Sequence, residues 1–164
     1  MPVYWIWFAQ LKGLNLYEKQ QLLETFRDPE EIFLAKSDTL PPEIAKALED
    51  KDLSTARAIE KTCARQNIGI LTYADEAYPE MLRTLEDPPL VLYYQGTLPD
   101  WQAQPVIGVV GTRKASAYGM QTAKRMGYQI AKCGGIVVSG MAYGIDGMAM
   151  SGALTAGQMT VGVL

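Results

Sequence analysis

The chain has 164 residues and a mass of 18.1 kDa, with 48% hydrophobic and 20% charged residues and a formal net charge of −3. That length buries one full core, or one small and one partial core, and the balance of charge and hydrophobicity excludes wholesale disorder. The sequence contains no histidine, which excludes His-based acid/base chemistry, the Ser-His and Cys-His nucleophile pairs and most zinc sites.

The opening, Met1-Pro2-Val3-Tyr4-Trp5-Ile6-Trp7-Phe8, is apolar but has neither the basic n-region nor the small-residue cleavage site of a signal peptide. No window reaches the roughly 18 uninterrupted apolar residues that a bilayer span needs. Residues 1–66 read as short helices with no strand signal. Leu11–Asn15 is a turn, after which Leu16, Lys19, Leu22, Leu23 and Phe26 recur at helical spacing. Asp28-Pro29-Glu30-Glu31 is a helix start, with an N-cap acceptor, a first-turn proline and two acids at the positive end of the dipole. Another start lies at Leu40-Pro41-Pro42-Glu43. A longer helix covers about Ser54 to Gln66, with Ala56, Ile59, Cys63 and Ala64 expected inward. The order of helix, glycine turn and helix predicts a small module of the helix-hairpin-helix or sterile-alpha-motif kind, with Trp5 and Trp7 in its core.

Residues 67–104 form a connecting region with strands at Ile68–Thr72 and Val91–Tyr94 and a helical turn opening at Pro79. The period then changes. Val106–Val110 is a continuous apolar run, expected for a strand buried on both faces. An amphipathic helix follows from about Ala117 to Cys133, with Met120, Ala123, Gly127, Ile130 and Ala131 on its inner stripe. Gly134-Gly135 ends it. Strand Ile136–Val138, a helix over about Ile145–Thr155 and strand Thr160–Leu164 complete a β-α-β-α-β order. The expected fold class is therefore α/β: a helical domain over 1–66, then over 67–164 a linker and part of a Rossmann-like, mostly parallel, doubly wound sheet. Three parallel strands leave one flank unpaired, so the expectation is a fragment of a longer protein. Two cysteines, Cys63 and Cys133, lie far apart with no CxxC, which fits a reducing cytosol, with Cys133 expected as a small buried hydrophobe.

Charge divides along the chain. Residues 105–164 hold five basic groups and one acid, a balance of +4, whereas residues 1–104 hold ten basic and 17 acidic groups, a balance of −7. The C-terminal part is the candidate for meeting an anion. In open α/β sheets ligands sit beyond the carboxyl ends of the strands. Here those ends are Gly111-Thr112-Arg113-Lys114 and Ser139-Gly140-Met141-Ala142-Tyr143-Gly144. Glycines let backbone amides approach an anion, and a helix N-terminus adds positive potential. Arg113 offers a planar fork for phosphate, Lys114 a mobile charge, and Ser116 and Ser139 hydroxyl donors. Two adjacent loops of this kind describe a phosphate cradle, although tight strand-to-helix turns need the same glycines without any ligand.

Glycines 108, 111 and 119 do not make GxGxxG, no acid ends the second strand, and no GK[ST] occurs, so neither a dinucleotide site nor a P-loop is expected. Asp146 is the only acid after residue 104, with no second carboxylate or metal-ligand cluster near it. It reads as a helix-start residue holding loop amides rather than a catalyst. No catalytic residue, metal or cofactor is expected. Tyr118 and Tyr143 stack on bases or pack, with packing slightly favoured. Lys124, Arg125 and Lys132 read as a solvated helix face.

Val109-Val110-Gly111-Thr112-Arg113-Lys114-Ala115-Ser116-Ala117-Tyr118-Gly119, followed by Ser139–Asp146 and Gly152-Ala153-Leu154, resembles the bacterial DNA-processing protein A family, DprA or Smf. The upstream Tyr73-x-Asp75-x-x-Tyr78-Pro79-x-x-Leu82 and Asp87-Pro88-Pro89-x-Val91-Leu92-Tyr93 match its linker, and Leu11–Leu14 with Asp28–Ile32 match its sterile-alpha-motif-like opening. The resemblance implies a cytoplasmic, non-enzymatic protein that binds single-stranded DNA during natural transformation and loads the RecA recombinase. It also implies a homodimer at full length. Carried over, the DNA ligands are Arg113 and the Ser139-Gly140-Met141-Ala142 loop, with Gly111 and Ser116 supporting and Lys114 and Gly144 on the same rim. Three residues depart from the pattern. Met150-Ser151 stand where the family usually has a histidine and a basic residue, and Tyr143 where an arginine is common, so weaker DNA affinity is expected. The alternative is a nucleotide-binding or nucleotide-processing Rossmann-like domain. A third reading makes the acidic helical part a protein-interaction module.

Overall fold

A helix that is apolar on every side has to be buried, and α1 (Pro2–Gln10) is: Val3, Trp5, Ile6, Trp7 and Phe8 all leave solvent. The computed structural model describes residues 1–36 and 40–164. They form two units, Met1–Leu98 and Pro99–Leu164. In the first, α1 is followed by α2 (Leu16–Phe26), α3 (Pro29–Leu34), α4 (Pro42–Ala47) and α5 (Ser54–Gln66), and it packs against α3 and α5. Local chemistry sets the starts. Asn15 Oδ1 accepts from the Glu18 amide at 2.9 Å while Glu18 Oε2 accepts from the Asn15 amide at 2.7 Å, a reciprocal capping box. Asp28 Oδ1 accepts from the Glu30 amide at 2.7 Å, with Pro29 in the first turn, as the sequence predicts. Trp5 and Trp7 are each 4% exposed. Ala56 and Cys63 face inward on α5 and Ile59 is half-buried, but Ala64 is exposed, one residue off the buried stripe.

The stretch after residue 66 belongs with these helices. Strand β1 (Gly69–Thr72) pairs antiparallel with β2 (Val91–Tyr94), Leu71 opposite Leu92, and Ile70, Leu90 and Val91 pack on the helical core. A short helix α6 (Glu80–Arg83) lies between the strands. The unit boundary therefore lies between Leu98 and Pro99, rather than after residue 66 as the texture of the sequence suggests.

The tyrosine–proline pattern between the strands has a structural job. Asp75 Oδ2 accepts from the Thr72 amide and hydroxyl at 2.6 and 2.8 Å, and Arg83 Nη2 donates to the Asp75 carbonyl at 2.8 Å. The Arg83 guanidinium lies 5.0 and 5.1 Å from the Tyr73 and Tyr78 rings. Buried Tyr78 donates its hydroxyl to the Pro89 carbonyl at 2.7 Å. Burial pushes this phenol above its ordinary value, and Arg83 opposes that. A raised folded pKa favours the neutral phenol, so its stabilisation is present below about pH 10 and is lost as pH rises through the folded value. Tyr78→Phe is expected to cost about 1–2 kcal/mol in urea unfolding at neutral pH, because the Pro89 carbonyl loses its donor. The deficit should narrow above about pH 10. A deficit that widens there excludes the buried neutral phenol.

In the second unit, β3 (Val106–Gly108), β4 (Ile136–Ser139) and β5 (Thr160–Gly162) form a parallel sheet in the order β3-β4-β5. Helices α7 (Ala117–Lys132) and α8 (Ile145–Thr155) both pack on β4 and on each other. Ala131, Val137, Ala149 and Ala153 make the core between them. Ile136 and Val137 in the central strand are fully buried.

The expectation that Val106–Val110 is buried on both faces is corrected. Ile107 and Gly108 are exposed and Val110 is 81% exposed, because β3 has a neighbour only on one side and its outer residues meet no covering layer among the described residues. Cys133 is exposed as well, because it follows the last buried position of α7, Ala131.

Candidate functional site

Two loops leave the carboxyl ends of β3 and β4, and α8 holds them together. The Gly111 amide donates to Asp146 Oδ1 at 3.0 Å, and the Ile145 amide donates to the Thr112 carbonyl at 3.3 Å. Gly144 sits where the second loop touches the first. Its φ is +88°, a conformation that strains L side chains, and a Cβ there would lie 2.2 Å from the Thr112 carbonyl oxygen. A Cβ on Gly111 would collide with the Ile145 side chain at 2.5 Å. Gly144 is required by backbone contact between the loops and Gly111 by the Ile145 side chain at the start of α8. Asp146, 5% exposed, takes the role expected of it, holding a loop amide at a helix start.

The expected rim residues divide into two groups. Arg113 and Lys114 are exposed on the first loop, and among the described residues neither makes an ion pair. Ser116 is exposed at the start of α7, where its Oγ accepts from the Gly119 amide at 3.1 Å. Gly140 is exposed, and Ala142 and Gly144 are half-buried on the second loop. Ser139 departs from expectation. It is 3% exposed, and its hydroxyl donates inward to the Val109 carbonyl at 2.8 Å, so it ties β4 to β3 instead of facing the rim.

Four of the amides at the rim are used within the protein. That of Gly111 goes to Asp146, Lys114 to Thr112 Oγ1 at 3.1 Å, Ile145 to Thr112 and Gly147 to the Ala142 carbonyl at 3.0 Å. The exposed Arg113 and Lys114 add side-chain charge for an anion. The acids of this unit are Asp100 and the buried Asp146.

Tyr118 and Tyr143 do not pack; they are 77% and 89% exposed. Met141 lies in the loop the resemblance implicates, but nothing in the sequence marks its conformation. Its backbone is left-handed at φ +54°, and its side chain lies over Gly162, where a Cβ would sit 2.0 Å from the sulfur. Only the β5 contact reveals that geometry. Met150 and Ser151, the positions that depart from the DprA pattern, line a shallow groove of about 550 Å³ with Met141 and Leu154.

Parallel strands with glycine-turned loops at their carboxyl ends and helices packed on the central strand define a Rossmann-like α/β unit with a cationic rim. Comparison with known sequences carries the assignment further. The profile of the family described as DNA recombination-mediator protein A matches residues 69–164, and the chain belongs to that family. It is 36% identical over 99 residues to a DNA processing protein DprA of Bacillus subtilis, covering 60% of this chain and 33% of that protein. With a protein Smf of Synechocystis sp. it shares 30% identity over 172 aligned positions, covering 98% of this chain and 43% of the relative. Among solved structures it is similar to DNA processing protein A (DprA) from Streptococcus pneumoniae. That match has a TM-score of 0.66 at 25% identity, over 99% of this chain and 57% of the other. The chain thus spans between 33% and 51% of the length of the first three curated relatives. Among the described residues no helix is long and apolar enough to cross a membrane.

Proposed function

We propose that this chain binds single-stranded DNA at the rim formed by the Gly111–Ser116 and Ser139–Gly144 loops. It does so as the part of a cytoplasmic recombination mediator that receives strands during natural transformation. In that reading the protein is not an enzyme; it holds the strand and loads a RecA recombinase onto it, and the full-length protein acts as a homodimer. Membership of the DNA recombination-mediator family supports the reading. One observation carries the location. Arg113 and Lys114 are exposed on the first loop with no ion pair among the described residues, and the nearby acid, Asp146, is buried and receives the Gly111 amide, so uncompensated side-chain charge at the rim attracts an anion. Charge supplied by side chains suits a polyanionic strand, whose binding releases counterions, better than a nucleotide wrapped in amides.

Arg113→Ala is expected to weaken binding of a labelled oligo-dT by about 1–3 kcal/mol, roughly a 5- to 150-fold rise in Kd. In anisotropy titrations at several salt concentrations the log-log slope should also shrink by roughly 0.7, one phosphate contact. An unchanged affinity removes Arg113 from the site. Salt-insensitive binding of a mononucleotide, without binding of the oligomer, moves the function to the nucleotide-pocket alternative.

A further inference from the structure

Helix α7 begins directly after the loop that carries Arg113 and Lys114, and its outer face has a composition the rim does not explain. At 3.6 residues per turn, Tyr118, Arg125 and Lys132 recur every seventh position and fall within about 40° of one another. The opposite face is the buried one, carrying Ala123, Gly127 and Ala131. All three outer residues are exposed, Tyr118 by 77%. Lys124 is exposed at the edge of the buried face, off this line, and the Lys132 ammonium lies 5.6 Å from the Tyr128 ring centroid. The helix contains no acid, and none of its cations makes an ion pair among the described residues. An exposed helix on a protein of net charge −3 ordinarily carries acids that answer its lysines; this one has none.

We infer that the outer face of α7 is a second stretch of the DNA site, a track along which the strand continues after leaving the loops. The inference rests on the DNA-binding reading above and adds to it a direction and a length. The stations at Tyr118, Arg125 and Lys132 are spaced by about 10 Å along the helix axis, so the track adds about 21 Å to the rim. Arg125 and Lys132 meet backbone phosphates, and Tyr118 presents a ring on which a base stacks. Contact of this kind is sequence-independent, because every base has a π-face and every nucleotide a phosphate.

The test uses two oligo-dT lengths, about 4 nucleotides to occupy the rim and about 15 to reach along the helix. The double variant Arg125→Gln/Lys132→Gln should bind the short oligomer as the parent chain does. For the long one it should lose roughly 1.4 from the log-log salt slope, two phosphate contacts, with about a tenfold or greater rise in Kd. Arg113→Ala should weaken both lengths. A charge-matched control, Arg57→Gln/Lys61→Gln on exposed positions of α5, should change neither. Melting curves of the double variant should match the parent, since both side chains are exposed.

If the double variant binds the long oligomer like the parent while Arg113→Ala is weakened, the track is overturned and the rim stands. If the parent binds neither length, the DNA-binding reading fails and the track fails with it. Loss of self-association in the double variant, with DNA affinity intact, overturns the track and assigns this face to an acidic protein surface.

Discussion

Gly127→Ala is expected to destabilise the α/β unit by about 3 kcal/mol, although alanine is the better helix former. In an isolated helix the change would gain about 1 kcal/mol. Within the fold, a Cβ on Gly127 would stand 1.9 Å from the Ala149 carbonyl oxygen and 2.9 Å from its Cα. The contact is reciprocal. A Cβ on Gly152 of α8 would meet the Lys124 carbonyl oxygen of α7 at 2.0 Å. Backbone lies on both sides, so no rotamer change relieves the clash. The helices must separate, and the Ala131–Val137–Ala149–Ala153 core between them opens. Gly119 supplies the control on the same helix. A Cβ there meets Ser116 Oγ at 3.4 Å and Ile145 Cδ1 at 3.6 Å, both ordinary contacts. Gly119→Ala should be neutral or slightly stabilising. By thermal unfolding, Gly127→Ala should melt more than about 10 °C below Gly119→Ala. Equal midpoints would show that the close approach of α7 and α8 does not exist in solution.

Phe8→Ala should cost the helical unit about 3–5 kcal/mol. Phe8 is fully buried and among the largest side chains that are, in a cluster with Val3, Ile6, Trp7, Leu11, Leu22 and Ile32. Truncation removes a ring and leaves a cavity that α1 cannot fill by moving, because its other faces are also packed. Phe8→Leu retains most of the volume and should cost less than about 1.5 kcal/mol. Urea unfolding followed by tryptophan emission reads both, since Trp5 and Trp7 are buried in the same helix. A cost below about 1 kcal/mol for the alanine variant would mean that α1 is not the centre of this unit.

Where sequence and structure agree, the deciding physics is local. The Asp28-Pro29 start, the helix from Ser54 to Gln66 and the β-α-β-α-β order follow from capping chemistry and hydrophobic period, which a few neighbouring residues carry. The exposed cations Arg113 and Lys114 are legible for the same reason, since a charged pair on a glycine turn has nowhere to be buried. The absence of histidine and the charge division between the two parts are properties of the sequence alone.

Other features depend on partners distant along the chain, and no local pattern contains them. Ser139 and Ser116 look alike as hydroxyls near a loop, yet one turns inward because the Val109 carbonyl of the adjacent strand is there to receive it. Gly111, Gly127 and Gly144 look alike as flexible residues. Each is required by a different close approach: to a side chain, to another helix and to a carbonyl. The Gly111 amide, which the loop sequence offers to a phosphate, is taken by Asp146 once α8 folds against the loop. Burial of Val106–Val110 could not be read from its composition either. An apolar run states only that a strand tolerates cover, and whether cover exists is settled by the neighbours the fold supplies. Elements such as α3 and α5 and the exposed cations of the rim are legible in the residues themselves, because capping, hydrophobic period and charge act over a few neighbours. That the Ser139 hydroxyl and the Gly111 amide are withdrawn from the rim follows from folding, because their acceptors, the Val109 carbonyl and Asp146, lie 30 and 35 residues away along the chain.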